Sequence, residues 1–147
     1  MTYRIVVGVD GSPHGNAALR WALAEAQVHQ AELTAVFAWQ MPFLDIPGAF
    51  DRDEIESLCK QFLVDAVAAV EPDPPVPVTT VVAQGDVSES LIHASEDADL
   101  LVLGSRGRGG FAGLRLGSVS QECVSHAYCP VVIVRFGKAE EAALNGG

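Results

Sequence analysis

Five short apolar runs alternate along this chain with longer stretches whose apolar residues recur at helical spacing. Residues 3–9 read as a buried strand ending at Asp10. Ser12-Pro13 reads as a helix start, Ser as N-cap and Pro at the first helical position. That helix is expected to run to about residue 30 and to bury Ala17, Ala18, Trp21, Ala24 and Val28, which makes Trp21 a packing residue. Residues 32–38 read as a second strand, and residues 39–50, with Pro42, Pro47 and Gly48, as a long apolar loop. Residues 51–70 read as a helix with Ile55, Leu58, Phe62, Ala66 and Ala69 in register. Pro72, Pro74, Pro75 and Pro77 follow as a stiff connector, not a domain boundary, because too little chain follows for a second core.

Residues 78–83 form a β-branched third strand. Asp86 and Glu89 then have capping-box spacing before a short helix to about residue 96. Residues 100–103 are a fully apolar fourth strand. Ser118 and Gln121 repeat the capping-box spacing, so a helix is expected from Ser118 to about His126, followed by a fifth strand over residues 130–134. Residues 136–147 read as a polar, Ala-rich tail expected to be mobile. Alternating strands and helices imply an α/β fold, a parallel sheet with right-handed crossovers. Ligands of such sheets bind beyond the carboxyl ends of the strands, at the topological switch point. Asp10 and Gly104 both sit at such ends; they share a crevice only if strands one and four are neighbours.

Composition narrows the function classes. The 147 residues suit one domain, expected over residues 1–137 with 138–147 as tail. A net charge of −10 argues against nucleic acid or an anionic membrane as main partner. No apolar run approaches bilayer-spanning length, and the chain starts with a strand rather than a leader pattern, so a cytoplasmic location is expected. Cys59, Cys123 and Cys129 match no zinc spacing and are expected to be reduced packing residues. His14, His29, His93 and His126 lack metal-ligand spacing and read as helix-surface residues. Asp51, Asp53, Glu54 and Glu56 suit a helix N-terminus.

The chemistry concentrates between Gly104 and Ser118. Arg106, Arg108 and Arg115 are three of the nine Lys and Arg of the chain, and no Asp or Glu occurs between Asp99 and Glu122. A glycine-rich, cationic break opening onto a helix N-terminus suits a phosphate. At least one of Arg106 and Arg108 reads as a solvated loop charge, and Arg115 as lying on the outer side. No Gly-Lys-Ser/Thr follows, which excludes a Walker A loop. Gly107, Gly109 and Ala112 spell a Gly-x-Gly-x-x-Ala, but after the fourth strand and without a ribose-binding acid about twenty residues on, so the dinucleotide reading is rejected. Val9-Asp10-Gly11-Ser12 lacks the Ser-Gly-Gly run of pyrophosphatase-type synthetase loops. Ser105 and Ser120 have no His–carboxylate pair placed by sequence to activate them as nucleophiles.

Gly104, Gly107, Gly117 and Ser118 match Gly-x2-Gly-x9-Gly-Ser without a gap. With residues 6–12 (Val-Val-Gly-Val-Asp-Gly-Ser), Gly85-Asp86 and residues 129–134 (Cys-Pro-Val-Val-Ile-Val), the chain closely resembles the ATP-binding subgroup of the universal stress protein family over nearly its whole length. The resemblance implies a three-layer, Rossmann-like sandwich of the adenine nucleotide alpha hydrolase type, its five-stranded parallel sheet ordered 3-2-1-4-5. It implies ATP, with Mg²⁺, between strands one and four. By position, Gly8 and Asp10 would lie by the adenosine and Ala38 would meet the adenine through its backbone. Gly104, Arg106 and Gly107 would line the ribose and phosphates, while Gly117, Ser118, Val119 and Ser120 would offer N–H groups and hydroxyls to the phosphates. The resemblance further implies a homodimer paired through residues 130–135, Pro130 and Arg135 at its ends; an open Val-Val-Ile-Val edge invites such pairing. The expected function is a nucleotide-sensing stress-response module with at most slow ATP hydrolysis, since no catalytic base is apparent. A true ATPase or nucleotidyl transferase and a nucleotide-free interaction module are the alternatives.

Overall fold

The computed structural model describes residues 2–40, 51–105 and 116–135. The expectations for the loop beyond Gln40, for Arg106, Gly107, Arg108 and Arg115, and for the tail lie outside the described residues. The order of elements is β1 (Arg4–Gly8), α1 (Pro13–His29), β2 (Glu32–Trp39), α2 (Arg52–Val70), β3 (Val78–Gln84), α3 (Val87–Ala94), β4 (Leu100–Gly104), α4 (Ser118–His126) and β5 (Val131–Val134). A 3-10 turn, Ser95–Asp97, continues α3. All pairings are parallel and the strand order is β3-β2-β1-β4-β5, the order that the resemblance implies. Strands one and four are therefore neighbours, with Ile5, Val6 and Val7 opposite Leu100, Leu101 and Val102.

Period-two alternation sends β1 side chains to two cores. Ile5 and Val7 join Ala18, Leu19, Ala22, Leu23 and Ala26 of α1 and Leu63 and Val67 of α2. Val6 joins Val36, Leu91, Leu101, Leu103 and Cys123 beneath α3 and α4. Central strands covered on both faces need apolar residues at every position, which is why Leu100–Gly104 begins with four consecutive buried aliphatics.

Two helices bury only part of the stripe their spacing suggests: Ala17 and Ala18 are buried and Trp21, Phe62 and Ala66 pack against the core, but other members are exposed. In α1, Ala24 and Val28 are exposed and Trp21 is only partly buried; the buried set is Gly15, Ala17, Ala18, Leu19, Ala22, Leu23 and Ala26. Ala residues recur around much of the segment, so its pattern does not choose a single face, and the sheet takes the side whose small Ala residues admit a close approach. In α2, Leu58 and Ala69 are exposed and Leu63 and Val67 take the core positions. Phe62 meets Phe37 edge-on with centroids 5.3 Å apart. Trp39, expected to open a loop, instead closes β2 opposite Gln84 and is buried. Among the described residues no helix is long and apolar enough to cross a membrane.

Cys123 faces the second core and is fully buried. Burial first, then the charges of Glu122 and Asp86, pushes its thiol up to about 11 from 9.0. The folded chain therefore holds this proton more tightly than the unfolded chain. Its contribution to stability is whole below pH 9 and disappears as the pH rises towards 11. Urea unfolding on either side of that window should show a loss of stability in the wild type that is smaller in Cys123→Ala.

Candidate functional site

The carboxyl ends of β1, β2 and β4 open on one crevice, roofed by α3 and α4. Gly8, Val9 and Asp10 line it from the end of β1, Gly15 from α1, Val36 and Ala38 from β2, and Leu103 and Gly104 from β4. Val87 and Leu91 of α3 and Val119 and Ser120 of α4 complete it. The order of strands reverses at β1 and β4, so their connections leave in opposite directions and part the crevice.

Ala38 presents its backbone there. β1 pairs with β2 as far as Gly8 opposite Val36, and the Val9 N–H bonds the Val36 carbonyl at 2.9 Å. Alternation turns the N–H and carbonyl of Ala38 to the same side, beyond the end of β1, where no described residue pairs with them. One donor and one acceptor in line suit the edge of a planar base, and aliphatic Val36, Val87, Leu91 and Leu103 suit its faces.

Asp10 is held by the turn it starts. Gly11 has φ 80, which glycine tolerates without strain. Asp10 Oδ1 then accepts from the Ser12 N–H at 2.9 Å and the Ser12 hydroxyl at 2.6 Å. Ser12 Oγ in turn accepts from the Gly15 N–H at 3.0 Å, the expected cap of α1.

The α4 end differs from the expected capping box. Gly117, not Ser118, is the N-cap, and no side chain caps the helix. Gln121 Nε2 donates instead to the Leu116 carbonyl at 2.8 Å. The Gly117 N–H is engaged with the Ser105 carbonyl at 2.9 Å, and the Ser120 hydroxyl donates to the Gly104 carbonyl at 2.8 Å. Gly117 and Ser120 thus tie the end of β4 to α4, and neither of these donors is available to a ligand. The backbone N–H groups of Ser118, Val119 and Ser120 have no partner among the described residues. Three such donors in a first turn without acidic side chains form an anion cradle.

Six of the residues expected at the site line the crevice together: Gly8, Asp10, Ala38, Gly104, Val119 and Ser120. Gly117 and Ser118 stand at the start of α4, outside the lining, with Ser118 exposed. Gly8 has a packing reason as well, since a Cβ there would lie 3.0 Å from Leu103 Cδ2 and 3.1 Å from Leu91 Cδ1. Val9, Gly15, Val36, Val87, Leu91 and Leu103 line the crevice unanticipated. Val36 was within reach, two residues from Ala38 on the same face of β2. Val87 and Leu91 were not, because only the seating of α3 aims them at the crevice.

The model of the universal stress protein family matches residues 1–135. Universal stress protein Rv2623 of Mycobacterium tuberculosis is 37% identical over 133 residues, which are 89% of this chain and 44% of that protein. The chain thus spans less than half the length of this relative. Among solved structures, a universal stress protein family member from Burkholderia pseudomallei is 29% identical, with a TM-score of 0.66 over 89% of this chain and 94% of that one. The universal stress protein from Archaeoglobus fulgidus in complex with dAMP is 24% identical, with a TM-score of 0.64 over 89% and 96%.

Proposed function

The chain belongs to the universal stress protein family, and from that premise we propose that it is an ATP-binding, nucleotide-sensing stress-response module acting as a cytoplasmic homodimer. The observation that carries the reading is that the open Ala38 backbone edge and the first turn of α4 meet at one crevice, which Val119 and Ser120 line, and that the Ser118, Val119 and Ser120 N–H groups have no partner among the described residues. The adenine would lie against Ala38, Val36 and Leu91, and the phosphates against the first turn of α4. The Archaeoglobus relative that holds dAMP supports an adenine nucleotide as the guest. Mg²⁺ would arrive on the phosphates.

At most slow hydrolysis is expected. Phosphoryl transfer needs an oriented nucleophile and charge stabilisation where charge develops. The buried hydroxyls of Ser12 and Ser120 near the crevice donate elsewhere, Ser12 to Asp10 and Ser120 to Gly104. Homodimer formation is supported by β5, an edge strand whose Val131–Val134 side chains are only half-buried and whose outer edge has no partner strand among the described residues.

Calorimetric titration with ATP, ADP and AMP, preceded by mass spectrometry of any ligand carried through purification, tests the proposal. Micromolar-range binding of an adenine nucleotide is expected, with turnover far below the roughly 1–10³ per second of typical enzymes. Absence of both carried ligand and binding heat would reject it.

A further inference from the structure

Gly15 breaks a local rule. It is the third residue of the 17-residue helix α1, where Ala would favour the helix. Its φ does not require glycine, since the described glycines with positive φ are Gly11 and Gly85. What forbids a side chain is Asp10: a Cβ built on Gly15 lands on Asp10 Oδ1, and also lies 3.3 Å from Ser12 Oγ. The carboxylate cannot simply step aside, because Oδ1 is held by both the Ser12 N–H and the Ser12 hydroxyl. Gly15 and Asp10 both line the crevice. A residue that sacrifices helix propensity for one neighbouring side chain marks a place where function outweighs local preference.

We propose that Gly15 is a positioning residue: the space left by its missing Cβ sets the rotamer of Asp10, so that Oδ2 faces the crevice as an acceptor for a neutral donor of the bound nucleotide. Oδ1 is engaged with Ser12, while Oδ2 has no partner among the described residues. A carboxylate there repels phosphate and attracts a sugar hydroxyl or an exocyclic amine. It thereby orients the guest with its phosphates towards α4. The ligand half of this proposal rests on the nucleotide reading above; the geometric half does not.

Four proteins separate the halves: wild type, Gly15→Ala, Asp10→Ala and the double variant. Without ligand, Gly15→Ala should lower Tm beside Asp10 and raise it in the Asp10→Ala background, where helix propensity outweighs the remaining 3.3 Å approach to Ser12 Oγ. An equal shift in both backgrounds overturns the geometric half. With AMP, Gly15→Ala should weaken binding about tenfold beside Asp10 and not at all in the Asp10→Ala background. Unchanged affinity beside Asp10, or an equal loss in both, overturns the positioning role. Titrations with 2′-deoxy-AMP, 3′-deoxy-AMP and IMP identify the donor, because the analogue that lacks it should bind wild type and Asp10→Ala alike. If all three still discriminate between those proteins, Oδ2 does not read a sugar hydroxyl or the amine. If the Tm inversion appears but no adenine nucleotide binds wild type, the nucleotide reading fails and the ligand half falls with it.

Discussion

Gly104→Ala should destabilise the protein by about 2 kcal/mol, although Ala replaces Gly in a strand. On propensity alone the change is favourable, because Gly loses more freedom on folding. The structure reverses the sign. A Cβ on Gly104 would lie 2.7 Å from both the carbonyl carbon and the carbonyl oxygen of His14 and 3.0 Å from its Cβ. Those first two atoms are backbone in the first turn of α1, which cannot swing away as a side-chain tip could. Either α1 retreats from β4 or the end of β4 shifts, and the shift strains the Ser120 hydroxyl bond to the Gly104 carbonyl. Both routes deform the crevice, so nucleotide affinity should fall as well. Urea unfolding measures the first effect; an unchanged or higher midpoint would show that the α1–β4 contact yields at no cost.

Ser118→Glu should separate binding from folding. Ser118 is exposed at the first position of α4, a turn without acidic side chains. A carboxylate there complements the helix dipole and should leave stability unchanged or raise it by about 0.5 kcal/mol. It also sets a negative charge beside the unpaired N–H groups that the phosphates would take. Two like charges about 4 Å apart repel by roughly 4 kcal/mol at an effective dielectric near 20. Exposure screens part of this, leaving about 2–3 kcal/mol, or roughly a hundredfold loss of ATP affinity. Adenosine, which carries no phosphate, should bind wild type and variant equally. Equal loss for adenosine and ATP would move the phosphates away from α4.

Local signals read true where an interaction spans a few residues. Ser12 caps α1 and Asp86 accepts from the Glu89 N–H at 3.0 Å, as their spacing indicates. The spacing at Ser118 and Gln121 was as regular, yet Gln121 turns back to the Leu116 carbonyl and Gly117 takes the cap position. The difference lies in what precedes the helix: Gly117 is drawn to the Ser105 carbonyl at the end of β4, a contact between distant parts of the chain. Val28 and Leu58 misled for a related reason. Each is exposed, at 74% and 66%, while Ala18 and Phe62 of the same stripes reach the core, because the packing of the helix decides which part of a stripe is covered.

Six crevice residues were identifiable because they sit at strand ends or in a glycine-rich motif, where chain order and geometry coincide. Leu91 and Gly15 were not, and the two illustrate different limits. Leu91 is an ordinary helix residue until α3 seats on Val36 and Leu103. Gly15 looks like a flaw in a helix until the Asp10 carboxylate is found in the space of its absent side chain.

The order of amino acids alone determined the alternating strands and helices, the parallel class of the sheet and the cationic glycine-rich break after the fourth strand. These depend on periodicity, caps and charge, which act over a few neighbouring positions. Only the tertiary structure decided which face each helix buries, which N–H groups of α4 have no partner among the described residues, and which glycines make room for a neighbour. Those outcomes depend on contacts such as Gly104 with His14, separated along the chain and joined only when β1 and β4 lie side by side.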